Sequence, residues 1–241
     1  MDVSYLGTSA PEHIFGSNNP DVIDVSGGDD TVFAMDGADV VYGGDGNDNL
    51  WGDNGNDGGL SADTIYGGAG DDYIVGDNVY PSGLGFSPTD VHAGADLLYG
   101  NQGADLIVSG EGDDTVFGGQ DADTVHAGTG DDLMYGNMGA DRLYGQEGND
   151  TIYGGQGDDI LNGGDGNDVM FGNLGADTIE ESAGNDTVMG FNGADGDRID
   201  VTNAYTLSAD ADGNAVVNLD GGASMTLMGV NQSDVQADWF V

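Results

Sequence analysis

An aliphatic or methionine side chain returns every nine residues along most of this chain, and glycine or polar residues fill much of the space between. The series runs Val32, Val41, Leu50, then Ile65 and Ile74, then Leu98, Ile107, Val116, Val125, Met134, Leu143, Ile152, Leu161, Met170, Ile179 and Val188, with Gly59 breaking it. A period of nine fits neither the helical repeat of about 3.6 nor the sustained alternation of a long strand. It predicts a very short strand, a turn and another short strand, each strand turning one apolar side chain inward. Gly136 to Phe171 shows the unit clearly: GNMGADRLY, GQEGNDTIY, GGQGDDILN, GGDGNDVMF. Glycine at the first and fourth places supplies the positive φ and close backbone approach of a tight turn. Strand and turn repeated in this way make a solenoid, whose coils bury their core only against their neighbours.

Two residues before each inward side chain stands an aspartate: Asp30, Asp39, Asp48, Asp57, Asp63, Asp72, Asp96, Asp105, Asp114, Asp123, Asp132, Asp141, Asp150, Asp159, Asp168, Asp177 and Asp186. The 45 acidic residues face only Arg142 and Arg198, and the formal net charge is −43. Stacked coils repeat at about 4.8 Å. Two like charges at that distance repel by roughly 0.9 kcal/mol even in the dielectric of water. Dozens of such pairs exceed a folding stability of about 5–15 kcal/mol, so the chain needs a cation to compact. Hard oxygen donors, six to eight of them at about 2.3–2.6 Å, describe calcium better than magnesium or a transition metal. With no Cys and only His13, His92 and His126, zinc and copper are poorly served. The 47 glycines fall in phase rather than scattered, which argues against a low-complexity disordered chain. An acidic surface of this kind excludes nucleic acid and anionic membrane as natural partners.

The unit resembles the GGxGxDxUx nonapeptide of the RTX (repeats-in-toxin) family, a calcium-binding repeat, over roughly Gly7 to Met189. The resemblance implies an all-β fold: a right-handed parallel β-roll, or β-solenoid, with two nonapeptide units per coil, many Ca2+ ions between stacked loops and a short antiparallel C-terminal cap. Loops eighteen residues apart would share an ion. Asp141 and Asp159, with the carbonyls of Asn137, Gly139, Gly154 and Gln156, would then enclose one calcium, and the rule advances by nine along the chain.

The expected organisation is a set of degenerate cap repeats over 1–24, the roll over 25–189, and a cap over 190–241. Glu12, Ile14 and Phe15 belong to one degenerate unit, and Asp21, Ile23 and Asp24 to the next. Between Asp57 and Asp63 the aspartate spacing falls to six, which predicts a shortened loop. An inserted loop, VYPSGLGFSPT, covers about 79–89 and predicts a surface excursion. Beyond Asp186 two strand-like runs, Ala215 to Leu219 and Ala223 to Met228, flank the turn signal Asp220-Gly221-Gly222. MDVSYLGTSAPEH has neither the basic start nor the apolar run of a signal peptide, and no stretch suits a membrane span. The resemblance instead implies type I secretion through an uncleaved C-terminal signal, which Ala237-Asp238-Trp239-Phe240-Val241 resembles. The expected location is secreted, extracellular or at the cell surface.

The residue after each inward side chain points outward. If strands simply alternate between two sheets, Phe15, Phe33, Trp51, Tyr66, Tyr99, Phe117, Tyr135, Tyr153, Phe171 and Met189 share one face. Asp24, Tyr42, Leu60, Val75, Val108, His126, Tyr144, Asn162 and Glu180 then share the other. A second outward row, Thr31, Thr64, Leu97, Thr115, Leu133, Thr151, Val169 and Thr187, would flank the aromatics. Stacked aromatics stabilise a cross-strand ladder, but a contiguous apolar stripe also suits a contact surface.

No GxSxG, HExxH, P-loop or Rossmann fingerprint is present, there is no Cys or Lys, and the repeat already claims the paired carboxylates that a glycosidase would use. A non-enzymatic role is expected, the more so because the repeats begin close to Met1. Three classes remain. The first is a structural protein that self-assembles, as homo-oligomer or polymer, into a surface layer, sheath or fibre. The second is an adhesin or carbohydrate-binding module that meets a cell-surface glycan through the aromatic face. The third, ice binding, is disfavoured by Leu97, Leu133 and Val169 in the threonine row. Whatever the class, circular dichroism should show an expanded coil in chelator and a β-rich fold in calcium at about 10⁻³ M; a spectrum indifferent to calcium would contradict the ion requirement.

Overall fold

The computed structural model describes residues 4–53, 61–77, 94–202 and 204–241. Within them the nine-residue rhythm becomes short parallel strands on two sheets. Leu133–Met138 lies between Thr115–Gln120 and Thr151–Gln156, with Met134 opposite Val116 and Ile152. On the second sheet Arg142–Glu147 lies between Thr124–Thr129 and Ile160–Gly166, with Leu143 opposite Val125 and Leu161. Partners are therefore eighteen residues apart, and one coil holds two units. Among the described residues helix is confined to three 3-10 turns, Asp220–Gly222, Gln232–Asp234 and Ala237–Trp239.

The inward residues form one continuous core. Leu50, Ile65, Leu98, Met134, Leu143 and Ile152 are each fully buried. One aliphatic side chain per nine residues contributes about 1.5–3 kcal/mol, less than ordering nine residues of backbone costs. Much of the cohesion must therefore come from the loops at the two edges of the roll.

Two loops depart from the expected reading. The Asp39 N–H donates to Asp63 Oδ1 and the Asp48 N–H to Asp72 Oδ1, 24 residues on rather than 18. Gly52 stands against the Asp63 carboxylate as Gly43 stands against that of Asp48. Gly52 to Asp63 is thus one loop lengthened by six residues, not two units with a shortened loop between them. Asp57, Gly59 and Leu60 lie outside the described residues, and the register passes from Asp39 directly to Asp63. The next excursion is larger, since Asp63 and Asp72 donate to Asp96 and Asp105, 33 residues on. The VYPSGLGFSPT segment also lies outside the described residues.

This register corrects the aromatic face. Phe15, Phe33 and Trp51 lie on the second sheet, whereas Tyr66, Tyr99, Phe117, Tyr135, Tyr153 and Phe171 lie on the first. Tyr42, expected opposite them, pairs with Tyr66 and heads the long row. Thr31 likewise belongs to the second sheet. The six extra residues between Asn49–Trp51 and Thr64–Ala69 have no rung in the register, so counting them as a unit exchanges the sheets before and after them. Within the long row the rings stack 4.5–4.9 Å apart and within 12° of parallel.

At the amino end Ser4–Leu6 and His13–Phe15 join the sheets in regular register. At the carboxyl end Ala183–Met189 continues in parallel into Ser224–Asn231. That strand pairs antiparallel with Asn214–Asn218, which pairs antiparallel with Thr206–Ala209. These are the antiparallel elements expected of the cap. Trp239 packs on Phe191 with ring centroids 5.5 Å apart, and Phe240 stacks on Tyr205 at 4.2 Å.

Candidate metal centre: two ladders of aspartates

The turn geometry brings the sixth-place aspartates into two vertical rows, one along each edge of the roll. In the first, Asp105 donates its backbone N–H to Asp123 Oδ1, Asp123 to Asp141, and Asp141 to Asp159, at 2.8–2.9 Å. In the second, Asp114, Asp132 and Asp150 follow the same rule toward Asp132, Asp150 and Asp168. Each carboxylate thus spends one oxygen joining successive coils. The aspartates are almost completely enclosed, with Asp141 1% and Asp150 0% exposed.

The other oxygen has no such partner. From Asp30 to Asp177 the Oδ2 atom of every described repeat aspartate is buried and meets no hydrogen-bond donor. Burying an ionised oxygen without a partner costs several kcal/mol. Oδ2 instead faces a space bordered by main-chain oxygen. A Cβ added to Gly154 would lie 2.5 Å from Asp159 Oδ2 and 2.9 Å from the Gly172 carbonyl, and one on Gly118 would lie 2.5 Å from Asp123 Oδ2 and 3.0 Å from the Gly136 carbonyl. First-place glycine keeps this cradle open. Gly157, at φ 132°, serves a different need, because any side chain there would collide with the Gly139 carbonyl one coil earlier. Of the carbonyls expected around Asp141 and Asp159, that of Gly154 lies with Asp141 Oδ2 beside Gly136, and those of Asn137 and Gly139 face the next coil at Gly155 and Gly157. The Gln156 carbonyl already accepts the Gly139 N–H at 2.8 Å.

Among the described residues no three His, Asp or Glu side chains converge on a point that could hold a metal. An ion here would be held by carboxylate and main-chain oxygen together. That all-oxygen donor set, with uncompensated negative charge, fits a hard divalent cation.

The electrostatics agree. Burial raises the repeat carboxyls, opposed by the ladder hydrogen bond and reinforced by neighbouring aspartates. Asp39 is pushed up to about 7 and Asp132 to about 8. Asp63 and Asp96 are pushed up to about 9, first by burial, then by charge on neighbouring aspartates: on Asp53, Asp39 and Asp77 for Asp63, and on Asp63, Asp114 and Asp53 for Asp96.

The ladders extend beyond the repeat aspartates read from the sequence. Glu12 and Asp21 donate their N–H groups into the rows at Asp30 and Asp39, and Asp197 Oδ1 receives the Asp177 N–H. At these ends the second oxygen is satisfied: Ser17 N–H donates to Asp21 Oδ2, Ser182 Oγ to Asp186 Oδ2, and Asn192 N–H to Asp197 Oδ2. Asp186, expected as a ligand, therefore differs from the aspartates before it. A serine or asparagine four residues before the acid does not mark these ends in the sequence, since Asn137 stands so before Asp141 and Asn173 before Asp177, both in the open rows.

Paired nine-residue units with an open carboxylate row on each edge define a cation-binding β-roll. A family model for the RTX calcium-binding nonapeptide repeat (4 copies) matches residues 6–40, 24–58, 57–78, 92–125, 117–152, 144–179 and 182–195. The matches cover more than half of the chain, which belongs to this family, and its repeats bind calcium. No curated protein matches the chain. Among solved structures it is similar to the AlgE6R3 subunit of the Azotobacter vinelandii mannuronan C5-epimerase, at 27% identity over 51% of this chain and 78% of that one, with a TM-score of 0.24. It is also similar to the extracellular lipase LipA of Serratia marcescens, at 19% identity and a TM-score of 0.34. The match covers 97% of this chain and 40% of the lipase. No helix of the described residues is long and apolar enough to cross a membrane.

Two outcomes follow. Gly154→Ala, whose methyl would enter the cradle between Asp159 Oδ2 and the Gly172 carbonyl, should raise the calcium concentration at the folding midpoint read by circular dichroism; an unchanged midpoint contradicts the cradle. The pH dependence has a definite sign. A carboxyl raised in the fold favours the ion-free roll below its ordinary value of 3.8 and disfavours it as pH rises through about 6 to 9. In chelator the β signal should grow on acidification from pH 8 to pH 4, whereas calcium at pH 7, where the carboxyls of the unfolded chain are already ionised, should give the full β signal without acidification, both read by circular dichroism.

Proposed function

We propose that this is a secreted structural protein, folded outside the cell by calcium held between successive loops at the repeat aspartates from Asp30 to Asp177, and that it assembles with further copies of itself. The observation that carries the reading is the pair of buried Oδ2 rows without donors. Calcium supplies the positive charge those rows lack. The protein's own groups do the rest: Oδ1 fixes each carboxylate to the coil before it, first-place glycine keeps the cradle clear, and the carbonyls turn inward between loops.

Export fits the same physics. Trp239 and Phe240 are packed into the cap, and the Val241 N–H donates to the Ile199 carbonyl at 3.1 Å. A secretion signal in these residues would be readable only in the unfolded chain, the form that low calcium favours before export. The surface role is non-enzymatic in this reading.

Self-assembly draws on the exposed apolar side chains, Leu174 at 67% and Met138 at 50% beside the long aromatic row, and Leu6 at 76% and Phe15 at 63% at the amino end. A glycan partner is less well supported. Sugar rings stack on open aromatic faces, and here the inner rings cover one another's faces, leaving mainly edges outward. Replacing Tyr99, Phe117, Tyr135 and Tyr153 by Ser should reduce particle size in calcium, measured by small-angle scattering against the wild type; an unaltered particle would overturn assembly through this row.

A further inference from the structure

The two lengthened loops share a feature found in no other loop of the array. Both are interrupted between their second and fourth places, both lie on the same edge in successive coils, and both carry aspartate at the second place, Asp53 and Asp77, where no uninterrupted loop has an acid. Each carboxylate reaches across the interruption. Ser61 Oγ donates to Asp53 at 3.1 Å, and the Gly94 N–H donates to Asp77 Oδ2 at 3.0 Å.

Closing the loop does not satisfy Asp77. It is 2% exposed, and its Oδ1 meets no donor. In the same loop Asp96, also 2% exposed, gives Oδ1 to the Asp63 N–H at 2.8 Å and has Oδ2 without a donor. That Oδ2 stands beside Gly76, the residue preceding Asp77, where an added Cβ would also lie 2.7 Å from the Ser109 carbonyl. Two enclosed carboxylates of one loop thus present an unpartnered oxygen each, and that of Asp96 lies next to a main-chain oxygen of the following coil. A regular loop offers one such carboxylate.

We propose that Asp77 is an additional calcium ligand, holding with Asp96 and the Ser109 carbonyl an ion at the base of the second interrupted loop, and that this site fills before those of the regular loops. It rests on the calcium reading given above. Affinity at oxygen sites rises with the number of charged ligands, so the second carboxylate sets this loop apart. The neighbouring Asp53, already given a hydroxyl donor by Ser61, is the less available of the pair.

The test is calcium titration of the full chain by calorimetry, comparing wild type with Asp77→Asn and Asp77→Gly, each confirmed as folded at saturating calcium by circular dichroism. Asparagine keeps an acceptor for the Gly94 N–H and removes only charge. Glycine, the residue at this place in the next coil, removes both. The wild type should show a tighter class of sites, weakened about tenfold in both variants with the remaining sites unaffected. If only Asp77→Gly weakens binding, or if neither does, Asp77 is a clasp and the proposal falls. A wild type that takes up no calcium would instead overturn the calcium reading itself.

Discussion

Each described repeat aspartate from Asp30 to Asp177 divides its two oxygens between two tasks. Oδ1 accepts the backbone N–H of the aspartate one coil earlier, and Oδ2 is left buried toward the space between loops. The first task fixes the register of the roll and stacks identical charges one above another. The second makes that stack untenable without a cation. Sheets, narrow core and glycine turns are all arranged around this division. The apolar interior is one side chain deep per strand, so it cannot by itself outweigh two rows of enclosed negative charge.

The ends show where the requirement stops. Ser17, Ser182 and Asn192 each supply a donor to the second oxygen of the local ladder aspartate. The open rows therefore run between closed ends, and the cap at the carboxyl end is held by ordinary means: antiparallel pairing, Trp239 on Phe191, and Phe240 on Tyr205. Stabilisation at the carboxyl end thus needs no ion. The long aromatic row is of the same kind. Its rings contribute by stacking on one another across parallel strands, independently of what later packs against them.

Much of this was legible in the sequence because its signals are local and repeated. Leu143 and Ile152 could be placed in the core from spacing alone, since every unit repeats the same local geometry, and the family resemblance put Asp141 and Asp159 on one edge. The interrupted region was not legible in that way. Asp57 fits the nonapeptide pattern as well as Asp63 does, yet the hydrogen bond from Asp39 reaches Asp63. Only backbone pairing distinguishes them. Asp53 and Asp77 carried no motif, yet both are buried.

The sequence by itself determined the unit, the inward residues, the donor chemistry and hence the ion, because each depends on residues within nine positions of one another, and its resemblance to a known repeat added the pairing of units into coils. The tertiary structure decided which sheet each aromatic occupies and which acids are enclosed where the rhythm breaks. The physical reason is parity: alternating strands exchange faces whenever residues are counted as a rung that the register does not contain. Six extra residues between Trp51 and Thr64 were enough to put Phe15, Phe33 and Trp51 on the opposite side of the roll from Tyr66 and Tyr99.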